Sequence, residues 1–268
     1  MDFSKVKLVV TDMDGTLLNE HNEVSTKFLN QFEELRNHNI HFVAASGRQY
    51  QSIVGKLYSI KDDISIIAEN GGILDFENKK EVLFKLSSYQ INSTVKAIRA
   101  IEGAHIVLCG KKTAYIESRD DAFISKFKMY YSDYEIVRDL TRVKDDEFIK
   151  IAVYHFDSSE LYVKPFLKNI DHQLKVLVSA QNWLDIALSE VDKSYGLQLL
   201  QQKLKIKTEE TMVFGDYNND LNMLKLANFS YAMENAHANV KQVANYETKS
   251  NVNQGVEYIL EKLLAQRS

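Results

Sequence analysis

The sequence predicts an α/β protein: a doubly wound, mostly parallel sheet built from the two ends of the chain, with an α+β segment inserted between them. Three observations lead there. Short apolar strands alternate with amphipathic helices from the N-terminus to Ala68. The same alternation returns from Lys193 onward. Between the two stretches, strand patterns follow one another directly, which a purely parallel sheet does not allow.

In chain order, Val6–Thr11 reads as a buried strand, and Ser25–Asn39 as a helix with Phe28, Leu29, Phe32 and Leu35 at helical spacing. "IHFVAAS" (40–46) is a second strand, Tyr50–Ile60 a second helix and "ISIIA" (64–68) a third strand. The middle reads as helix 88–102, strands near 104–109 and 113–117, and helix 120–130. Strands near 134–137 and 148–155 follow, then helix 158–170 and strands near 174–179 and 184–188. This is the signature of an open-faced α+β unit. Pro165, the only proline, falls inside the last of these helices. Lys193–Leu204 then reads as a helix, "TMVFG" (211–215) as a buried strand, and Asn219–Ala227 and Gly255–Leu264 as helices. Strands buried on both faces belong to a Rossmann-like sheet with helices on each side. The expected division is residues 1–81 plus 186–268 for that core and 82–185 for the insert.

Composition limits the functional classes. Apolar residues make up 45% and charged residues 26%, an ordinary globular balance. A net charge of −4 without a basic stripe argues against a nucleic-acid partner. No apolar stretch reaches the ~18 residues that span a bilayer, so no membrane partner is expected. The lone Cys109 can form no internal disulfide, and "MDFSKVKLVV" has no signal-peptide pattern. The expected compartment is the cytoplasm.

The chemistry sits at the strand ends, where open α/β sheets bind ligands. Asp12, Asp14 and Thr16 follow the first strand, Ser46, Gly47 and Arg48 the second, and Asn70, Gly71 and Gly72 the third. Gly215, Asp216, Asn219 and Asp220 follow the later strand, and Lys193 opens the helix before it. Two acids two residues apart at the end of an apolar strand repel each other and are poorly solvated, so a positive partner is expected. Four carboxylates, a lysine, hydroxyls and glycine turns suit a hard divalent cation plus a phosphate. Mg²⁺ takes oxygen ligands and often binds through one or two carboxylates and a substrate phosphate. Ser46, Lys193 and backbone N–H groups near Gly47 suit the remaining phosphate oxygens. "DYNNDLN" (216–222) begins like an EF-hand loop, but Leu221 and Ala227 occupy its glycine and final glutamate positions.

"DMDGT", "SGR", Lys193 and "GDYNND" resemble, in order and spacing, the four motifs of the haloacid dehalogenase-like superfamily of phosphatases. "ENGG" and "YAMENA" resemble two signatures of its Cof-type hydrolases, which carry an α/β cap domain between the second and third motifs. The resemblance implies Asp12 as nucleophile, forming an aspartyl-phosphate, and Asp14 as general acid and then base. It implies Mg²⁺ held by Asp12, the Asp14 backbone carbonyl and Asp216, with Asp220 in support. Lys193 and Ser46 would bind the phosphoryl oxygens, and Gly47, Arg48, Asn70 and Asn219 complete the expected substrate-side set. The implied activity is hydrolysis of a small phosphorylated metabolite such as a sugar phosphate. Two alternatives stand beside it: phosphotransfer from the same aspartate to a second alcohol, and a non-catalytic phosphate-binding module. Oligomeric state is not legible.

Overall fold

The computed structural model describes residues 2–267. It separates into two compact units, one made of the residues up to Glu81 together with those from Asp192, the other of Val82–Val191. The elements run β1 (Leu8–Asp12), α1 (Thr26–Asn37), β2 (His41–Ala45), α2 (Tyr50–Lys56), β3 (Ser65–Ala68), β4 (Ile73–Phe76) and β5 (Lys79–Val82). Next come α3 (Ser88–Arg99), β6 (Ala104–Gly110), β7 (Ala114–Ile116), α4 (Asp121–Phe127), β8 (Tyr134–Ile136), β9 (Phe148–His155), α5 (Ser159–Tyr162), β10 (Leu174–Val178) and β11 (Trp183–Leu188). The chain then returns through α6 (Lys193–Leu204), β12 (Thr211–Gly215), α7 (Leu221–Leu224), β13 (Phe229–Ala232), α8 (Ala238–Val243), β14 (Tyr246–Glu247) and α9 (Gly255–Leu264).

The first unit holds an eight-stranded sheet in the order β14-β13-β12-β1-β2-β3-β4-β5. β1 lies in parallel between β2 and β12, with Leu8 opposite His41 on one side and Thr211 on the other. The strand order therefore reverses at β1, and the ends of three parallel strands meet there. All five residues of β1 are buried, as an apolar strand covered on both faces requires. α1 starts where the Ser25 side chain accepts the Phe28 N–H, and its Phe28, Phe32 and Leu35 are buried at helical spacing. The Phe28 and Phe32 rings pack on Phe42 of β2, with centroids 5.0 and 6.0 Å away.

The second unit holds a six-stranded sheet in the order β10-β11-β9-β6-β7-β8, antiparallel except for β7 beside β8. Alternation along β6 splits its core in two. Ile106 and Leu108 join Ile151, Val153, Leu184 and Ile186 beneath Val95 and Ile98 of α3. Val107 and Cys109 join Ala152, Tyr154 and Trp183 beneath Phe123 and Phe127 of α4. The sheet is thus not open-faced, since α4 packs on the face opposite α3.

Four other readings change. The junction placed at 185/186 falls inside β11, whose pairing with β9 runs unbroken from Trp183 to Ala187, so the second unit continues to Val191. The helix read over 158–170 stops at Tyr162 and is followed by a 3₁₀ turn, Lys164–Leu167, that carries Pro165. Proline lacks the N–H that would continue the helix. The helix read over Asn219–Ala227 is a 3₁₀ turn, Asn218–Asp220, followed by the single turn of α7. Finally, β4, β5, β13 and β14 extend the sheet beyond what local pattern shows, and β4 runs antiparallel to β3.

Candidate active site

β1 delivers Asp12 to the carboxyl edge of the sheet, 5% exposed. The chain then turns through a wide helical turn, Met13–Leu17, broken at Asp14 (ψ 122°) and at Gly15 (φ 75°). Gly15 is required twice over. Its φ is one that side chains disfavour, and a Cβ there would lie 2.3 Å from Asp216 Oδ2. The turn stays closed through Thr16 Oγ1, which donates to Asp216 Oδ1 at 3.1 Å, and through Asn235 Nδ2, which donates to the Gly15 carbonyl at 2.8 Å.

Lys193 is the first residue of α6, directly after its N-cap Asp192. Gly71 (φ 98°) lets the third-strand turn come close to this point, since a Cβ on it would sit 2.2 Å from the Asp192 carbonyl oxygen. The Lys193 side chain is fully buried, and its ammonium donates to Asp12 Oδ1 at 2.5 Å and Asp220 Oδ1 at 2.8 Å. A positive charge at a helix N-terminus opposes the helix dipole. The two carboxylates supply the compensation. Asp220 uses its other oxygen to accept the N–H groups of Asp216 (3.0 Å) and Tyr217 (3.1 Å), which shapes the loop after β12.

Asp12, Asp216 and Asp220 offer carboxylate oxygens within 4.8 Å of one another. Burial pushes Asp12 well above the usual carboxylate range, Lys193 opposes this, and the neighbouring acids Asp220, Asp216 and Asp14 add to it. Burial and Asp220 push Asp216 up to about 6, against the Thr16 hydroxyl and Lys193. Burial disfavours the charge on Lys193, but Asp12 and Asp220 outweigh it and hold the ammonium above the ordinary lysine range. The cluster sets three carboxyl groups against one ammonium, with Asp12 and Asp220 buried and Asp216 partly so, where water screens them poorly.

A second group stands beside the first. Ser46 is buried at the end of β2; its Oγ accepts the Arg48 N–H at 3.1 Å, and its carbonyl accepts the Asn70 N–H at 3.0 Å. Asn70 adopts a left-handed conformation (φ 55°), and its Oδ1 accepts from Asn219 Nδ2 at 3.0 Å. Gly47 packs so closely on Asn70 that a Cβ would lie 2.9 Å from Oδ1. Hydrogen bonds and this close packing thus bring Ser46, Gly47, Asn70 and Asn219 together. Arg48 points elsewhere. Its Nε and Nη2 donate to the two oxygens of Asp14 at 2.7 and 2.5 Å, and Nη1 reaches Ser52 Oγ at 3.3 Å. The Asp14 carboxylate is accordingly turned to Arg48 and is not one of the three grouped carboxylates.

Some contacts were not foreseen. Thr16 is legible as a strand-end residue but has no assigned task, although it holds Asp216. Asn235 lies in "YAMENA", a motif whose position in the chain does not say that it reaches Gly15. Ser52 gives no signal in sequence.

A mostly parallel sheet whose central strand ends in paired aspartates, with a buried lysine and a second acidic loop from neighbouring elements, defines an α/β enzyme of phosphate chemistry. The chain belongs to the haloacid dehalogenase-like hydrolases, whose family model matches residues 9–260. It is 33% identical over 262 residues to the 5-amino-6-(5-phospho-D-ribitylamino)uracil phosphatase YbjI of Escherichia coli (strain K12), an alignment covering 97% of this chain and 96% of the relative. Among solved structures it is similar to SMU.1108c from Streptococcus mutans, with a TM-score of 0.87, 28% identity, and 97% of this chain and 99% of that one covered. It is also similar to TM0651 from Thermotoga maritima, with a TM-score of 0.86, 28% identity, and 96% and 97% covered. Its activity class is phosphatase. Among the described residues no helix is long and apolar enough to cross a membrane.

Proposed function

We propose that this phosphatase is Mg²⁺-dependent and hydrolyses small phosphate monoesters through an aspartyl-phosphate on Asp12. The observation that carries this reading is the largely buried cluster of one ammonium and three carboxylates at the end of β1. Its three carboxyl groups suit a hard divalent cation. Asp12 and Asp216 would hold it, with the Asp14 backbone carbonyl. Asp220, whose oxygens already serve Lys193 and two backbone N–H groups, keeps a supporting place. When bound, Mg²⁺ would offset the charge of the phosphoryl oxygens and of the acids around them.

The chain's own residues supply the rest. The Asp12 carboxylate forms a bond to phosphorus while the bond from phosphorus to the leaving oxygen breaks. Asp14 gives that oxygen its proton, so an alcohol leaves. Asp14 then takes a proton from water; the new P–O bond forms, the bond to Asp12 breaks, and inorganic phosphate is released. Lys193 stays fixed between its carboxylates and stabilises charge on the phosphoryl oxygens without reorganising. Ser46, which accepts from Arg48 N–H through Oγ, keeps its own O–H to donate to the phosphate; Gly47, Asn70 and Asn219 shape the same side.

The name of the Escherichia coli relative describes a phosphate ester on a ribityl chain attached to a pyrimidine. At 33% identity over nearly the whole chain, phosphorylated polyol chains of this kind form the substrate class we infer. The test is phosphate release from a panel of sugar, polyol and nucleotide phosphates, with and without Mg²⁺, for wild type and Asp12→Asn. Metal-dependent release that vanishes in the variant is the expected result. Equal release with a chelator present, or from the variant, overturns the mechanism.

A further inference from the structure

The geometry points to Arg48 as the residue that positions the Asp14 carboxylate, rather than as a ligand of the phosphate; this rests on the reading of Asp14 as acid and base given above. The fork is bidentate, with Nε and Nη2 each on its own carboxylate oxygen at 2.7 and 2.5 Å. Such pairing fixes the plane of a carboxylate as well as its place. The asymmetry of exposure identifies which partner is the anchor. The Arg48 side chain is only 10% exposed and also held by Ser52, whereas that of Asp14 is 50% exposed. The guanidinium is the fixed wall and the carboxylate is what it presents.

Asp14 needs such a wall. It stands on a turn whose backbone is held by Gly15, Thr16 and Asn235, but none of those contacts reaches its carboxylate. A half-exposed carboxylate without a partner spreads over its rotamers, and ordering it during the reaction costs free energy. Each oxygen retains a second lone-pair direction after accepting from Arg48, so a proton can be exchanged on that side while the fork persists. The nitrogens that a phosphate ligand would use are directed at Asp14 and Ser52. The charge that reaches the phosphoryl group comes from Lys193.

The two roles differ in what the leaving group feels. A phosphate ligand acts on every monoester alike. A residue that positions the general acid matters when the leaving oxygen needs a proton, as in an alkyl phosphate, and little when it does not, as in p-nitrophenyl phosphate. Both esters share the later attack of water, so the steps are separated by rapid mixing with Mg²⁺ present. For Arg48→Gln we expect the first equivalent of p-nitrophenol to appear as a burst at near wild-type rate. Steady turnover of both esters, and the first turnover of an alkyl phosphate, should fall by about 10²- to 10⁴-fold, the range general acid–base catalysis spans. KM should not rise on either ester, and on p-nitrophenyl phosphate it should fall with kcat, leaving kcat/KM near wild type. Arg48→Lys keeps the charge but cannot fork, so it should follow the glutamine variant. In an Asp14→Asn background neither change should slow the enzyme further. A burst slowed as much as alkyl turnover, with KM raised on both esters, overturns the proposal and returns Arg48 to the phosphate, as does rescue by lysine. If Asp14→Asn alone leaves alkyl turnover unchanged, the mechanism itself fails, and that outcome is distinct from the others.

Discussion

Among the described residues each unit buries one lysine beside acid, and the two arrangements differ in how those acids are placed. In the second unit Lys150 of β9 lies 3.3 Å from Asp185 of β11, with side chains 6% and 12% exposed. The residues opposite them across the β9–β11 ladder are Ala187 and Ala152. In the first unit Lys193 meets Asp12 and Asp220, with Asp216 beside them. Among the described residues this is the one group of three acids arranged to hold a cation. The Lys150–Asp185 pair ties two neighbouring strands together. Three acids around one lysine leave the first unit's group able to hold a cation.

The largest expected effect tests that contrast at this group. Lys193→Met should lower kcat by at least about 10²- to 10³-fold, the loss seen when one preorganised charge-stabilising donor is removed, and steady-state kinetics would show it. Turnover within a few-fold of wild type would place Lys193 with Lys150 as a packing residue. The second effect belongs to the other pair. Asp185→Ala should destabilise the protein by about 3–5 kcal/mol in urea unfolding, because the buried Lys150 loses a carboxylate partner. Lys150→Met with Asp185→Leu should recover most of that loss, because an apolar pair of similar volume is often neutral or better. Failure of the double variant to recover would show that the pair does more than pack.

The third is the response to metal and pH. Mg²⁺ at about 100 times its Kd should raise unfolding free energy by about 2.7 kcal/mol, and Asp216→Asn should abolish most of the gain. The carboxyl of Asp216 is raised from 3.8 to about 6 by burial and by Asp220, so folding favours its protonated form. Without metal, this group makes the protein more stable as pH falls from about 6 toward 3.8. With metal the sign reverses, since binding needs the carboxylate, and the gain is lost over the same window. Thermal unfolding above and below about pH 6, with Mg²⁺ or a chelator, separates the two; parallel pH profiles would be the contrary result. The smallest effect lies in the second unit. The Thr141 hydroxyl, Arg99 and the Thr141 N–H together bring the Asp139 carboxyl down from 3.8 to about 2. Its contribution is complete above 3.8 and is lost as pH falls through about 2. Asp139→Asn should therefore lower the unfolding midpoint slightly near neutral pH and leave it unchanged near pH 2.

Sequence patterns carry the parts of this molecule that are local. β1 and β2 are apolar runs, and α1 and α3 show helical spacing, so each announces itself within a dozen residues. Every strand-end residue that the structure gathers stands directly after such a run. What failed to show is long-range. "KKEV" becomes β5 because the sheet offers it an edge, and β11 belongs to the second unit because Trp183–Ala187 pair with β9. Arg48 gives the same message in every local reading, a basic residue after a strand. Only folding brings it to a carboxylate 34 residues earlier in the chain.

The order in which the two units can be completed follows from how the chain threads them. Val82–Val191 is continuous and pairs its strands among themselves, so it is ready to fold once synthesis has passed β11. The other unit must wait. Its central strand needs β12 as a neighbour, and the contacts that fix its charges, Thr16 to Asp216 and Lys193 to Asp12, join residues 200 and 181 positions apart. On the ribosome Asp12 and Asp14 emerge early and stay in water, where their mutual repulsion costs little, until the last third of the polypeptide arrives. Assembly of the acidic cluster is thereby postponed to the moment when its lysine is present.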